Sequence, residues 1–209
     1  MKPFLKLARL VVCIAGIAIV AGCTTSQDIP ETPEPLGDFA LGFNIVVAKN
    51  AQLIPPSRKA EPEEWEASIK SAIDQRFGRY EGDKLYHLGV SVDGFALAVP
   101  GIPVVLSPKS ALVVTVNIWD DAAQAKLNEK PKQLTVLESL SGDTVLGSGL
   151  TQSREKQMKN LSFNTARLIE RWLVENRAEW FGELEAPETS DAEAALEGTS
   201  VAQLPETSN

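Results

Sequence analysis

Few residues in this chain could carry out acid–base or metal chemistry, and the first to consider is His87, the only histidine. A histidine that acts as a general base needs a nucleophile and an orienting group within hydrogen-bonding reach. The sequence pattern shows neither, and it predicts a solvated side chain on a strand. The chain's few His and Cys residues also cannot supply the four nitrogen and sulfur ligands of a zinc site. The sequence leaves carboxylate-rich calcium binding open, but it has no match to the Asp-x-Asp-x-Asp-Gly calcium loop. We therefore expect no metal site and no cofactor.

Two further motifs have both a chemical and a structural interpretation. Gly147-Ser148-Gly149 could offer backbone amides to an anion, but it lacks the rest of a dinucleotide-binding or Walker motif. A flexible turn, with Ser153 capping the helix that follows, is favoured. Asp120 and Asp121 are paired acids, but adjacent side chains of an extended chain point apart, which favours a solvated turn. We expect no catalytic residues and no enzymatic activity.

The N-terminus has the layout of an export signal. Lys2, Lys6 and Arg9 form a positive segment, and the twelve residues Leu10–Ala21 that follow are apolar apart from one glycine and Cys13. This run suits a signal peptide, because a membrane span needs about 20 apolar residues. An uncleaved anchor or an ordinary secreted protein is the alternative.

Val20-Ala21-Gly22-Cys23 resembles the lipobox of bacterial lipoproteins. The resemblance implies cleavage before Cys23, whose thiol then carries diacylglycerol and whose freed amine is often acylated, as with palmitate. It thus implies a membrane partner reached through lipid and a place in the cell envelope. Thr24 differs from the aspartate that retains enteric lipoproteins in the inner membrane, so the resemblance points to the outer membrane, facing the periplasm.

The chain divides into four parts by composition: a cleaved signal (1–22), a lipidated cysteine with a Thr- and Pro-rich extended tether (23–37), a body (38–182) and an acidic disordered tail (183–209). The tail holds seven acids and no Lys or Arg, and it carries most of the formal net charge of −8. The body is therefore nearly neutral and offers no basic surface to phosphates. Nucleic-acid binding is disfavoured.

Periodicity predicts an α+β body. Four or five segments alternate with period 2, the first along Leu41, Phe43, Ile45 and Val47, and two amphipathic segments have helical spacing. Gly94 is expected to mark a bulge. Short connections favour a two-layer sandwich, a mostly antiparallel four- to five-stranded sheet with two helices on one face. The outward sheet face is then expected to carry His87, Ser91, Thr115, Asn117, Trp119 and Thr135.

The least ordinary stretch of the body is residues 99–108, which are apolar but interrupted by three prolines. Prolines exclude a regular helix or a central strand, so this insert either folds back to cap the core or contacts a partner or membrane. Exposed apolar patches usually mark interaction sites. The candidate partner-contact residues are Ile102, Val104, Val105, Leu106 and Trp119.

The chain resembles auxiliary lipoproteins of ABC-type transport systems and lipoprotein families of unknown function. The shared features are the lipobox, the tether and the order of elements in the body, which ends with the helix around 163–173. The resemblance implies a non-catalytic adaptor that binds another envelope protein. A small-ligand-binding periplasmic lipoprotein or a hydrolase is the alternative, and a deep polar pocket that includes His87 would favour it.

Overall fold

The computed structural model describes residues 29–99, 110–138 and 152–182, which form a mixed sheet and helices packed against it. In chain order the elements are β1 (Ala40–Val47), β2 (Gln52–Leu53), α1 (Pro62–Phe77), β3 (Leu85–Ala96), β4 (Ala111–Asp120), β5 (Ala125–Lys126), β6 (Lys132–Leu137), α2 (Arg154–Glu175) and α3 (Arg177–Trp180).

The α+β class is confirmed, and three of the five strand pairings are antiparallel, but the sheet is partly parallel. The described residues contribute six strands, of which β1 and β2 both pair in parallel with β3. The reason is that α1 carries the chain back to the end of the sheet where β1 began, so β3 must run in the same direction. The sequence pattern predicts both strands and the helix between them, but it does not predict that β3 runs parallel to β1.

The other pairings are antiparallel. β3 pairs with β4 along its length, and the register shifts between Val92 and Gly94, where the sequence predicted a bulge. β4 then pairs with β6 along most of its length and with the two-residue β5 at its end. Gly142-Asp143, a dipeptide whose type predicts a hairpin turn into a short strand near Val145, lies outside the described residues.

Both long helices begin where local chemistry predicts. Pro62 occupies the first turn of α1 and Glu63 and Glu64 follow it, while the side chain of Ser153 accepts a hydrogen bond from the Lys156 amide at the start of α2. α2 ends at Glu175, earlier than the single helix to residue 180 that the pattern predicts. Asn176 interrupts it, and its side-chain amide donates to the Trp172 carbonyl.

The core is one cluster that joins both long helices to one parity of strand residues. Trp65, Ile69 and Phe77 of α1 and Leu161 and Ile169 of α2 are fully buried against it. The strands contribute Tyr86, Leu88, Val90, Val92, Leu112, Val114, Val116, Ile118 and Val136. Within the described residues, no helix is both long and apolar enough to cross a membrane.

Candidate functional site

The strand residues of the opposite parity form a second sheet face, which we call the open face because its side chains are exposed or half-exposed. It carries the predicted polar residues at positions 87, 91, 115, 117 and 135, and Trp119 is 37% exposed. The assignment of these six residues to the outward face is therefore confirmed.

A feature that the sequence interpretation did not anticipate is a row of exposed apolar side chains along β1. Phe43 is 68% exposed, Ile45 58% and Val47 45%, and all three lie on the open face. Three large apolar side chains in a line on the outside of a strand form an unusual surface for a small domain, because contiguous exposed apolar patches usually mark contact sites. We call these three residues the β1 row.

A bulge at Gly42–Phe43 explains why the β1 row points outward. Leu41 pairs with Tyr86 and Asn44 pairs with Leu88, so three steps on β1 oppose two on β3. The extra residue reverses the alternation. Leu41 consequently packs on the core, while Phe43 and every second residue after it face solvent.

Two inward-facing residues, one in β1 and one directly after it, fix this alternation of inward and outward side chains. Asn44 is buried, and its side-chain amide donates to the Lys70 carbonyl at 2.9 Å and to the Asp74 carboxylate at 3.0 Å, both on α1. The Ala48 amide donates to the Glu66 carboxylate at 2.9 Å. A slip by one residue would bury Ile45 but would break these links to α1, so the polar contacts specify the register.

His87 lies beside the bulge and completes it. Its Nδ1 accepts a hydrogen bond from the Phe43 amide at 2.9 Å, and its Nε2 lies 2.9 Å from the Asp121 carboxylate. Because Nδ1 accepts, the proton of the neutral ring is on Nε2, which donates to Asp121. A Cβ at Gly42 would overlap His87 Nδ1, so only glycine allows this approach.

The chemistry available to His87 is limited by these contacts. A general base needs an unoccupied nitrogen lone pair that can take a proton from a substrate, and here that lone pair accepts a backbone amide. The ring of His87 also packs against Phe43, with 4.9 Å between ring centroids. His87 therefore acts as a positioning residue for the bulge, and through the bulge it sets the direction of the β1 row.

Trp119 lies across the sheet from this site. It pairs directly with His87 in the β3–β4 register, and its ring packs over Gly89, which itself pairs with Ile45 of the β1 row. A Cβ at Gly89 would come within 2.9 Å of Trp119 Cζ3. The indole ring thus occupies the space that a side chain at position 89 would need, and it extends the apolar surface of the β1 row toward β4.

The structure places the other candidates as follows. Asp120 ends β4 and Asp121 begins the turn after it, and they have different partners, since Asp120 accepts the Ala123 amide and Asp121 contacts His87 Nε2. Two groups of predicted site residues lie outside the described residues: Gly147-Ser148-Gly149, and the lipobox residues Val20, Ala21 and Gly22 with Cys23. So do Ile102, Val104, Val105 and Leu106, which leaves Trp119 as the described member of the predicted contact surface. The β1 row was missed, although Gly42 within a strand pattern is a recognised sign of a bulge.

Two ion pairs on the described part of the chain join the two long helices. Arg154 of α2 binds Glu64 of α1 through two contacts of 2.6 Å, and this hydrogen bonding is the main cause that lowers the pKa of Glu64 to about 2. Arg76 and Glu170 form a buried pair at 2.6 Å. Across these same residues, no three His, Cys, Asp or Glu side chains converge as a metal-binding cluster.

No family model and no curated protein matches the chain. Solved structures to which it is similar include a DUF330-family protein from Xanthomonas campestris, which is 13% identical at a TM-score of 0.39, over 72% of this chain and 92% of that one. A minor lipoprotein from Acinetobacter baumannii is 16% identical at 0.33, over 68% and 97%. PelC from Paraburkholderia phytofirmans, a dodecamer, is 10% identical at 0.36, over 66% and 91%. With TM-scores this low, the functions of those proteins are not transferred to this chain.

Proposed function

We propose that this chain is a lipid-anchored protein of the cell envelope, and that its open face binds another envelope protein. The anchor follows from Cys23 in its lipobox-like context, with export to the outer membrane suggested by Thr24. The observation that carries the binding function is the exposed β1 row with Trp119 beside it. We propose a non-catalytic role, since the one histidine has both ring nitrogens engaged by protein groups.

The energetics favour a protein interface on this surface. Full burial of a Phe, Ile or Val side chain contributes about 1.5–3 kcal/mol, so covering the exposed parts of the β1 row would contribute roughly 3 kcal/mol. Tryptophan is enriched among residues that dominate binding energy, and Trp119 adds a rigid edge to the surface. The β1 row is thus suited to be the apolar centre of an interface, with the polar residues of β3 and β4 as its rim.

Charge favours a protein over a membrane as the occupant. An anionic bilayer attracts lysine and arginine. The open face is not basic, because its one strand lysine among the described residues, Lys126 opposite Trp119, is offset by Asp93, and Asp121 lies at its edge. An anionic lipid surface would repel both carboxylates, whereas a protein can offer them hydrogen-bond donors.

Site-specific photo-crosslinking in the native host tests the interface. A photoreactive amino acid at Phe43 or Ile45 should give one and the same protein adduct, and one at exposed Lys159 on α2 should not. In the Phe43 probe strain, Ile45→Glu should abolish the adduct without unfolding the protein. Equal adducts from Lys159, or adducts that survive Ile45→Glu, would overturn the proposed interface.

The anchor is tested separately by the mass of the protein from that host. The expected species begins at Cys23 and carries acyl chains, and Cys23→Ser should remain unprocessed. A polypeptide that begins at Met1 without lipid would overturn the anchor but would leave the crosslinking result interpretable.

A further inference from the structure

Residues 30–36, which the sequence assigns to the extended tether, are bound to the body. Arg79 Nη1 donates to the Pro30 carbonyl and, at 3.4 Å, to the Glu31 carbonyl, while the Tyr80 hydroxyl lies 2.8 Å from the Glu34 carbonyl. Leu36 is only 1% exposed and belongs to the core cluster. We call residues 30–36 the docked arm.

The docked arm is connected to a buried ion pair between the two long helices. The Tyr80 hydroxyl is shared between the arm's Glu34 carbonyl and Oε1 of Glu170, at 3.0 Å. Burial, and then the charge of Glu170, raise the pKa of Tyr80 above its ordinary value, so the hydroxyl keeps its proton at neutral pH. Glu170 in turn binds Arg76 of α1. The arm is thus held by groups that also join the two long helices.

The arm also lies beside the C-terminal end of the body. Gly37 has a φ of +70°, and a Cβ there would lie 3.3 Å from the Phe181 carbonyl oxygen. Phe39, two residues further along, packs against Phe181, with 5.3 Å between ring centroids. The end of the docked arm and the residues just after α3 therefore lie at one common end of the body.

We infer that the docked arm fixes this end of the body toward the lipid surface and keeps it close, an inference that rests on the proposed acylation of Cys23. From Cys23 to Gly37 an unattached tether of fourteen residue steps could reach about 50 Å. Because the body already holds Pro30, only seven steps remain, and they reach about 25 Å at most. Docking therefore halves the height at which the body can stand above the bilayer.

The arm also orients the open face. β1 begins at Ala40, four residues after the arm's end at Leu36, and both β1 and β3 run away from the docked end. The strands consequently point away from the lipid surface, and the β1 row stands sideways to it. A partner anchored in the same membrane could reach the row laterally.

A distance measurement within the protein tests whether the arm is docked. Spin labels on Thr32→Cys and Lys159→Cys are introduced into the acylated mature protein in detergent, where the Cys23 thiol is occupied by lipid. Wild type should give one narrow distance distribution, which Arg79→Ala with Tyr80→Phe should broaden. Arg167→Ala, which changes an exposed arginine of α2, should leave it narrow. A broad distribution in wild type, or a narrow one in the double variant, would overturn the docked arm.

Energy transfer to the membrane tests the height. A donor dye on Lys49→Cys, past the far end of β1, is paired with acceptor lipid in phosphatidylcholine–phosphatidylglycerol vesicles. Transfer should fall in the Arg79→Ala, Tyr80→Phe variant, and also when seven residues are inserted after Ser26 with the arm intact. Unchanged transfer in both would overturn the inference. Failure of the wild type to bind vesicles would instead refute the proposed anchor, while the spin-label result would still decide whether the arm is docked.

Discussion

Single residues decide which side chains the open face presents. His87 accepts the Phe43 amide, Gly42 leaves room for the His87 ring, and Gly89 leaves room for Trp119. None of the three residues is apolar enough to drive binding. Gly42 and His87 together position Phe43, and Gly89 positions Trp119.

The role of His87 is tested by two substitutions that each keep one end of the ring. Asparagine places an oxygen near the position of Nδ1 and can still accept the Phe43 amide, whereas glutamine places its amide near Nε2 and cannot. Amide hydrogen exchange at Phe43 should therefore be faster in His87→Gln than in His87→Asn. Each variant should lose about 1 kcal/mol of unfolding free energy, the net value of one hydrogen bond. Equal exchange rates in both variants would contradict the assigned role.

Gly89 and Trp119 should be coupled. In the wild-type background Gly89→Ala should lower the unfolding free energy by about 1 kcal/mol or more, because its Cβ forces the indole to move. In a Trp119→Leu background the same change should be neutral or stabilising by up to about 1 kcal/mol, since alanine suits a strand better than glycine. Denaturant unfolding of the four proteins measures the coupling, and additive effects would show that the ring does not depend on Gly89.

At the scale of elements, the two long helices are joined by ion pairs that differ in burial. Glu64 and Arg154 link the N-terminal turns of α1 and α2 and remain 38% and 28% exposed, while Arg76 and Glu170 are almost fully buried. The first pair is solvent-screened and adds modest stability. The second pair is expensive to break, because either partner alone would leave a buried charge.

The exposed pair predicts a specific pH dependence. The pKa of Glu64 is lowered from 4.5 to about 2 in the folded protein, so its stabilisation is complete above about pH 4.5 and is lost as pH falls toward 2. After discounting for exposure, Glu64→Gln should cost about 1 kcal/mol at pH 7 and nothing near pH 2. Urea unfolding at pH 7, 4 and 2 measures this, with Glu63→Gln on the same turn as the matched control. A loss that is the same at all pH values would refute the assignment.

The buried pair predicts a larger and non-additive effect. Glu170→Gln should lower the unfolding free energy by about 3–5 kcal/mol, because the Arg76 guanidinium would then stand buried beside the Phe163 ring without its carboxylate. Replacing both partners, as in Arg76→Met with Glu170→Leu, should recover much of this loss. If denaturant unfolding shows the double variant to be as unstable as both single changes added together, the pair does not act as a unit.

The elements also show what the sequence could predict. α1, the start of α2, the Gly94 bulge and the outward parity of β3 and β4 follow from local periodicity and capping, which depend on neighbouring residues only. The parallel pairing of β1 with β3 depends on the path through α1. The outward β1 row depends on the Gly42–Phe43 bulge, which forms only once His87 and the Asn44 contacts to α1 are in place. Single-strand alternation contains no information about contacts so distant in sequence.

At the scale of the whole molecule, the proposed anchor, the docked arm and the β1 row act together. They set the position of the proposed interface relative to the membrane. The arm limits the height of the body, and the strand direction sets the row at a fixed distance above the docked end. The position of the interface above the bilayer would then be a property of residues 23–36 as much as of the open face. Partner binding should therefore respond to changes within residues 23–36, even when the open face and the partner's surface are unaltered.

Spacer length should therefore control partner binding. An insertion of fourteen flexible residues after Ser26 adds up to about 50 Å of reach and leaves both the docked arm and the β1 row unchanged. If the partner is anchored in the same membrane, the crosslinked fraction from an Ile45 probe should fall several-fold, because the effective concentration of two tethered surfaces falls as the linker lengthens. The same insertion placed after Gly182 lengthens the C-terminal segment, which does not connect the body to Cys23, and should leave the crosslinked fraction unchanged. Equal crosslinking with both insertions would mean that the partner reaches the open face from solution, and the height of the body would then have no bearing on binding.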